Sequence, residues 1–240
     1  MTTDLVNQKL DAFTGAIGEN WHALLLAQAT LQLGEGMLNT ISDNANLEVR
    51  IGSTIQVEPI PIGELRQYGG TFPNFILQVF HGRAITLWQD LLQSIFEVYL
   101  EWHFQGTRKF TELKSRQLTL DFTAGESFGD QIQARLKSNF SFDKYKCRYK
   151  LINSIRNQNN SRDSELYEIH KHVSIRNSFQ HHDGIIDGFS LQNLGRTRIE
   201  LLEAHGQTAF FGQGDRLRLS IPEFDKLQKS LLLVVQAWRS

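Results

Sequence analysis

Apolar residues recur every three or four positions along much of the chain, which is the pattern of helices that pack one face against a core. This pattern runs from the start of the chain to about Ile41, although Gly34 and Gly36 interrupt it. It is clearest in a second, longer segment, and the length of that segment predicts the central helix of a bundle. Its apolar face comprises Ile76, Phe80, Leu87, Leu91, Ile95, Val98 and Trp102.

Two segments depart from this helical pattern. Between Leu47 and Ile62, β-branched residues and two prolines predict a short hairpin or an extended connection. From Lys144 to Leu151, basic and apolar residues alternate as they do in a strand. Because Ile152 and Ile155 continue with helical spacing, we favour a helix there.

A further helix is predicted from about residue 161 to residue 182. Its N-cap is Ser161 or Ser164, whose hydroxyl can accept a hydrogen bond from the first turn. Gly184 follows the helix and suits the position just beyond a helix end.

Near the C-terminus, Ile199–Leu202 and Leu217–Ile221 predict a small β-hairpin, and Pro222 predicts the start of a terminal helix. The fold class is therefore mainly α, a helical bundle with a small β-hairpin near the C-terminus. We expect residues 1–70 to form an N-terminal helical region of unknown role, or a part of the same bundle. Residues 71–240 then form the main helical domain.

The charge of the chain is neutral overall but unevenly distributed. Its 240 residues include 25 Lys and Arg against 26 Asp and Glu, a net charge of −1. Residues 135–162 hold eight basic residues and one acidic residue, a net +7, which leaves −8 for the remainder. The near-neutral net charge argues against a protein that coats nucleic acid along its length. The local excess of positive charge still allows an RNA-binding surface in residues 135–162.

The basic segment also contains four aromatic residues, and aromatic rings can stack on unpaired bases. They are Phe140, Phe142, Tyr145 and Tyr149. The candidate RNA-binding residues are Lys144, Lys146, Arg148 and Lys150. The alternative is a solvated helix face whose aromatic side chains point into the core.

The expected location is the cytoplasm. The lone Cys147 cannot form an internal disulfide, which fits a reducing compartment. The first residues lack the basic and apolar regions of a signal peptide, and no apolar run is long enough to span a bilayer, so no membrane partner is expected.

Four of the eight histidines lie between His170 and His182, and Arg176 precedes His181 by five positions. An arginine presents a permanent charge and a fork of donors to a phosphate. A histidine accepts or donates a proton near neutral pH. Together they can hold a phosphate and move a proton while a ribose 2′-OH attacks it, with no metal or other cofactor.

Residues 176–181, Arg-Asn-Ser-Phe-Gln-His, resemble the R-N-x-x-x-H motif of the HEPN superfamily of helical proteins that process nucleic acids. Residues 182–187 resemble the turn that follows this motif in abortive-infection and toxin-type members. The resemblance implies a homodimeric helical bundle with a metal-independent endoribonuclease activity that leaves a 2′,3′-cyclic phosphate. It further implies phage defence or a toxin–antitoxin system, with an antitoxin or another protein as partner.

Carried over onto this chain, the motif assigns catalytic roles to three residues. Arg176 contacts the phosphate, Asn177 hydrogen-bonds at the site, and His181 serves in acid–base catalysis. His182 has no fixed place in the motif and is an accessory candidate.

Two alternatives remain open. The first is a non-catalytic HEPN-like module that binds RNA or protein, in which Arg176 and His181 serve only the helix end. The second is a metal phosphohydrolase of HD type, with His170 or His172, the pair His182–Asp183, and Asp187 or Asp225 as ligands.

Overall fold

The computed structural model describes residues 2–48, 50–51, 55–56, 58–113, 118–121, 123, 125–156 and 161–239, which form eight helices and three antiparallel strand pairs. The helices are α1 (Thr2–Leu38), α2 (Ile62–Gly69), α3 (Phe72–Phe104), α4 (Phe128–Phe142), α5 (Tyr145–Arg156), α6 (Asp163–His181), α7 (Gly188–Leu194) and α8 (Ile221–Ala237). The strands are β1 (Asn46–Leu47), β2 (Arg50–Ile51), β3 (Ile55–Gln56), β4 (Ile60–Pro61), β5 (Ile199–Leu202) and β6 (Thr208–Phe211).

Helix α3 runs through the middle of the bundle and packs against α1, α4, α5, α6 and α8. A helix with apolar residues on most of its circumference is stable only when other elements cover it. The prediction of a mainly helical fold with a central helix in this segment is confirmed. The fully buried side chains of α3 include Ile85, Trp88, Leu92, Ile95 and Tyr99.

Helices α1 and α8 close two sides of this core. Helix α1 buries Val6, Leu10 and Ile17 against α3, so the N-terminal residues and the rest of the chain share one hydrophobic cluster. Trp238 at the end of α8 stacks on Trp88, with ring centroids 5.2 Å apart.

The short strands pair locally between α1 and α3. β1 pairs with β4, and β2 pairs with β3, both antiparallel. This agrees with the hairpin predicted between Leu47 and Ile62.

The segment with alternating basic and apolar residues is helical, as α5 shows. Helix α6 begins at Asp163 with Arg162 as its N-cap, and neither predicted serine caps it, because the cap position forms no side-chain hydrogen bond. The predicted loop at residues 157–160 lies outside the described residues.

Helix α6 ends in a turn that requires left-handed backbone at Asp183 (φ 51°) and Gly184 (φ 76°). The Gly184 amide donates to the Ser178 carbonyl at 3.0 Å. A Cβ atom on Gly184 would lie 3.0 Å from the Phe179 ring, so glycine fits both the conformation and the space.

The predicted hairpin near the C-terminus has a different second strand. β5 pairs with β6 through a short turn, whereas the predicted partner at residues 217–221 does not pair with β5. Instead, the Leu217 amide donates to the Gly184 carbonyl at 2.8 Å, so this segment packs on the turn after α6. The predicted terminal helix is confirmed as α8, whose N-cap Ser220 accepts from the Glu223 amide.

Among the described residues, no helix is both long enough and apolar enough to span a bilayer.

Candidate active site at the end of helix α6

A cleft of about 560 Å³ lies between the start of α5, the C-terminal half of α6 and α7. We call it the α6 cleft. Its polar lining includes Lys144, Lys146, Asn177, His181, His182 and Asp187. Two ammonium groups and three polar side chains of the motif segment therefore converge on one concave surface.

The periodicity of α6 determines which motif residues face this cleft. Asn177 and His181 are four positions apart and lie one turn above the other on the same helix face. His181 is exposed in the last turn of the helix, where a cation is favoured by the helix dipole.

His182 is paired with an acid across the cleft. Its Nε2 atom lies 3.2 Å from Asp187 Oδ2, which fixes one edge of the imidazole ring. Asp187 is itself held as the N-cap of α7, because its Oδ1 atom accepts from the Ser190 amide at 2.6 Å and Oδ2 accepts from the Ser190 hydroxyl at 3.0 Å.

These contacts stabilise the ionised form of Asp187. Partial burial raises the pKa of the Asp187 carboxyl, but the hydrogen bonds from Ser190 and the charge of His182 outweigh burial. The pKa therefore lies below its ordinary value, and the carboxylate is ionised at neutral pH. An ionised acid beside an imidazole is the arrangement that orients a catalytic histidine.

Arg176 lies on a neighbouring face of α6. It lines a separate cavity of about 330 Å³ between α3 and α6, together with His81 and Phe179. Burial lowers the pKa of the Arg176 guanidinium. The structure thus brings Asn177 and His181 together but places Arg176 beside them, outside the α6 cleft.

One hydrogen bond links Arg176 to the cleft. Its Nη1 atom donates to Asn177 Oδ1 at 3.3 Å. Because the amide oxygen is engaged by Arg176, the amide nitrogen of Asn177 is left to donate elsewhere.

The four candidate RNA-binding residues of the basic segment divide into three groups. Lys144 and Lys146 line the α6 cleft. Lys150 is exposed on α5, outside the cleft. The expectation for Arg148 needs correction, because this side chain is buried: its Nη2 atom donates to the Gln89 carbonyl at 3.1 Å.

The aromatic residues of the same segment mostly belong to the core. Phe140 is buried and stacks on Phe96 with ring centroids 4.0 Å apart. The Tyr145 hydroxyl accepts a hydrogen bond from Trp88 Nε1 at 2.7 Å, and Tyr149 is buried. Phe142 is the member that is fully exposed, so the alternative of a solvated helix with core aromatics describes most of this segment.

A buried ionic cluster in the middle of α6 was not expected from the sequence. Lys171 Nζ lies 2.5 Å from Glu168 Oε1 and 2.6 Å from Glu223 Oε1. His172 Nε2 lies 3.2 and 3.1 Å from the same two oxygens. Glu223 comes from α8, far away in sequence, and no local pattern could have joined it to α6.

Glu168, His172 and Glu223 each offer a ligand atom within 4.8 Å of the others, a grouping suited to a metal ion. Lys171 already bridges both carboxylates at hydrogen-bond distance and neutralises charge there. The cluster is thus satisfied as an ion-pair network.

The ligand set of an HD-type site is not assembled. His172 is buried in the cluster, about 15 Å along the helix axis from His182. His170, His182 and Asp187 all line the α6 cleft, but among the described residues they do not form a group of ligand atoms within 4.8 Å of one another. Asp183 is turned to Arg216, with Oδ2 2.6 Å from Nη2.

Comparison of the chain with protein-family models, with curated protein sequences and with solved structures finds no match. The chemistry of the α6 cleft therefore stands on its own residues. Its lining contains three imidazoles, two ammonium groups, one carboxylate and three amides, and such groups can together hold an anion and transfer protons.

Proposed function

We propose that the α6 cleft is the active site of a metal-independent endoribonuclease of HEPN type, which cleaves RNA by attack of a ribose 2′-OH on the adjacent phosphate. The observation that carries this proposal is the placement of His181 and the His182–Asp187 pair in one cleft with Lys144 and Lys146. Cleavage by this route needs a base, an acid and positive charge at the phosphate, and the α6 cleft contains a residue for each of these roles.

The His182–Asp187 pair is the general base in this proposal. Asp187 holds Nε2 of the ring, which leaves Nδ1 to accept the proton of the 2′-OH. As the 2′-oxygen bonds to phosphorus, the bond from phosphorus to the 5′-oxygen breaks. His181, in its protonated form, donates a proton to that leaving oxygen, and the products are a 2′,3′-cyclic phosphate and a 5′-hydroxyl.

Lys144, Lys146 and Asn177 hold the phosphate. The two ammonium groups offset its charge, which grows in the transition state. The Asn177 amide nitrogen adds a directed donor, and Arg176 orients it through the hydrogen bond to the amide oxygen. Arg176 is therefore a positioning residue in this arrangement.

A homodimer is part of the same proposal. Helix α3 exposes Phe72, Phe75 and Val79 at 45, 57 and 51%, and Phe75 and Val79 line the cavity that contains Arg176. Self-association through this apolar surface buries it and brings two copies of α6 together. A role in phage defence or in a toxin–antitoxin system follows from the resemblance alone.

The test is cleavage of single-stranded RNA by the purified chain in excess EDTA. We expect cleavage with a 2′,3′-cyclic phosphate end, and a loss of about 10²- to 10⁴-fold in His181→Ala and His182→Ala. His22→Ala, at an exposed position of α1, is the matched control and should retain full activity. A requirement for a divalent metal, or undiminished cleavage by both cleft variants, contradicts the proposal.

The second candidate is a non-catalytic module that binds RNA or protein. Arg176 and His181 lie on different faces of α6 and line different cavities. This arrangement favours the non-catalytic candidate, because the two motif residues cannot act on one phosphate from separate cavities. This candidate predicts RNA binding through Lys144 and Lys146 with no cleavage, and binding that persists in His181→Ala.

A further inference from the structure

Helix α7 exposes an aromatic ring that packing does not account for. Phe189 is 67% exposed, whereas Ser190, Leu191 and Leu194 on the other side of the helix are buried. Leu191 and Leu194 pack into the hydrophobic core of the bundle. An aromatic surface within a cleft that also carries a few polar groups is typical of a ligand-binding site.

Two amides share the exposed face of α7 with this ring. Gln192 and Asn193 follow Phe189 by three and four positions, so the three side chains are neighbours on one helix face. All three line the α6 cleft. The face thus combines a flat apolar surface with adjacent hydrogen-bond donors and acceptors.

The position of α7 relative to the acid–base residues is fixed by Asp187. This residue caps α7 two positions before Phe189 and also pairs with His182. A nucleotide whose phosphate lies at His181 and His182 therefore has its neighbouring base close to α7. Lys144 and Lys146, which also line the cleft, provide charge for the backbone on either side.

We propose that the exposed face of α7 is a binding site for one unpaired RNA base, which stacks on Phe189 and hydrogen-bonds through its edge to Gln192 and Asn193. This inference rests on the proposed function, because it places the base next to the phosphate that is cleaved. A base in a duplex has both faces stacked and its pairing edge occupied, so the site selects single-stranded RNA.

The experiment measures binding by fluorescence anisotropy at fixed salt, with an unstructured single-stranded RNA made of 2′-O-methyl nucleotides. This probe lacks the attacking 2′-hydroxyl, so binding is separated from cleavage. Phe189→Ala should weaken binding about tenfold, in line with the loss of one stacked base, while Phe189→Trp should retain it. Asn193→Ala should weaken binding several-fold.

Phe210→Ala is the matched control, because Phe210 is 56% exposed on β6 and lies outside the cleft. It should bind the probe as the wild type does. A duplex of the same sequence should bind the wild type and Phe189→Ala equally. Circular dichroism of each variant shows whether the fold is retained.

The outcomes separate this inference from the proposed function. If the wild type does not bind the probe, or if Phe189→Ala binds it as tightly as the wild type, the base site is wrong, even where His181 is needed for cleavage. If binding depends on Phe189 but no ordinary RNA is cleaved, the base site stands and the endoribonuclease assignment fails.

Discussion

His182 and Asp187 meet across the turn between α6 and α7, with Nε2 3.2 Å from Oδ2. Gly184 shapes this turn through its left-handed backbone, and the turn is fastened to the segment before α8 by the hydrogen bond from Leu217. The acid–base pair therefore depends on how two helices are joined, which no residue spacing within α6 specifies.

Replacing Asp187 by Asn should weaken both stability and activity. Asparagine can still cap α7 through its amide oxygen, but it lacks the negative charge that stabilises the folded chain, and the neutral amide cannot hold the imidazolium form of His182. We expect a lower melting temperature at pH 7 and a loss of RNA cleavage, whereas Asp225→Asn, at a surface ion pair with Lys229, should change neither.

The pH dependence of this effect has a defined sign. The pKa of Asp187 is lower in the folded chain than its ordinary value, so folding favours the ionised form. Its contribution to stability is therefore complete above the ordinary aspartate pKa and is lost as the pH falls through the lower, folded value. Melting curves of wild type and Asp187→Asn should converge in acid. A difference that grows on acidification contradicts this account.

Gly184 should not tolerate alanine. The residue has φ 76°, and an added Cβ would lie 3.0 Å from the Phe179 ring. The left-handed conformation alone costs an L-residue about 1–2 kcal/mol, and the contact adds to it. Denaturant unfolding of Gly184→Ala should show at least this loss. Gly15→Ala, in an exposed position of α1 with no atom near its Cβ, should instead stabilise the chain by up to about 1 kcal/mol.

The buried ionic cluster should be sensitive to loss of its lysine. Lys171→Met removes the ammonium group between the buried Glu168 and Glu223 carboxylates. His172 still lies beside both acids and Lys226 still pairs with Glu168, so the change should cost up to about 3–5 kcal/mol. Lys229→Met, which removes an exposed pair with Asp225, should cost less than about 1 kcal/mol. Equal effects in urea unfolding would show that Lys171 is not the centre of this network.

Arg176 and Asn177 should behave as one unit. If Arg176 acts by orienting the Asn177 amide, then Arg176→Ala and Asn177→Ala should each slow cleavage, and the double variant should be little slower than either single variant. The coupling is measured from the rates of the four proteins with the same RNA. Fully additive effects would indicate that Arg176 contacts the phosphate independently of Asn177.

Helices α1, α3 and α8 were predictable because the apolar residues of each repeat every three or four positions along the sequence. Each of these helices lies where that repeat predicts it. Helices α2, α4 and α7 were not predicted, and the seven residues of α7, which begin at Gly188, are too few for a clear repeat.

The candidate site was predictable only in part. The spacing of Asn177 and His181 places both on one helix face, and both line the cleft. The burial of Arg148 and the pairing of Lys171 with Glu223 depend on contacts between distant segments. Phe189 gave no signal, since an apolar residue in sequence is more often buried than exposed.

The most direct measurement of the central claim is the end chemistry of RNA incubated with the wild-type chain in excess EDTA. The account predicts metal-independent cleavage with 2′,3′-cyclic phosphate and 5′-hydroxyl ends, lost together in His181→Ala and His182→Ala. Fragments with other ends, activity that appears only on adding a divalent metal, or intact RNA in every reaction would contradict it.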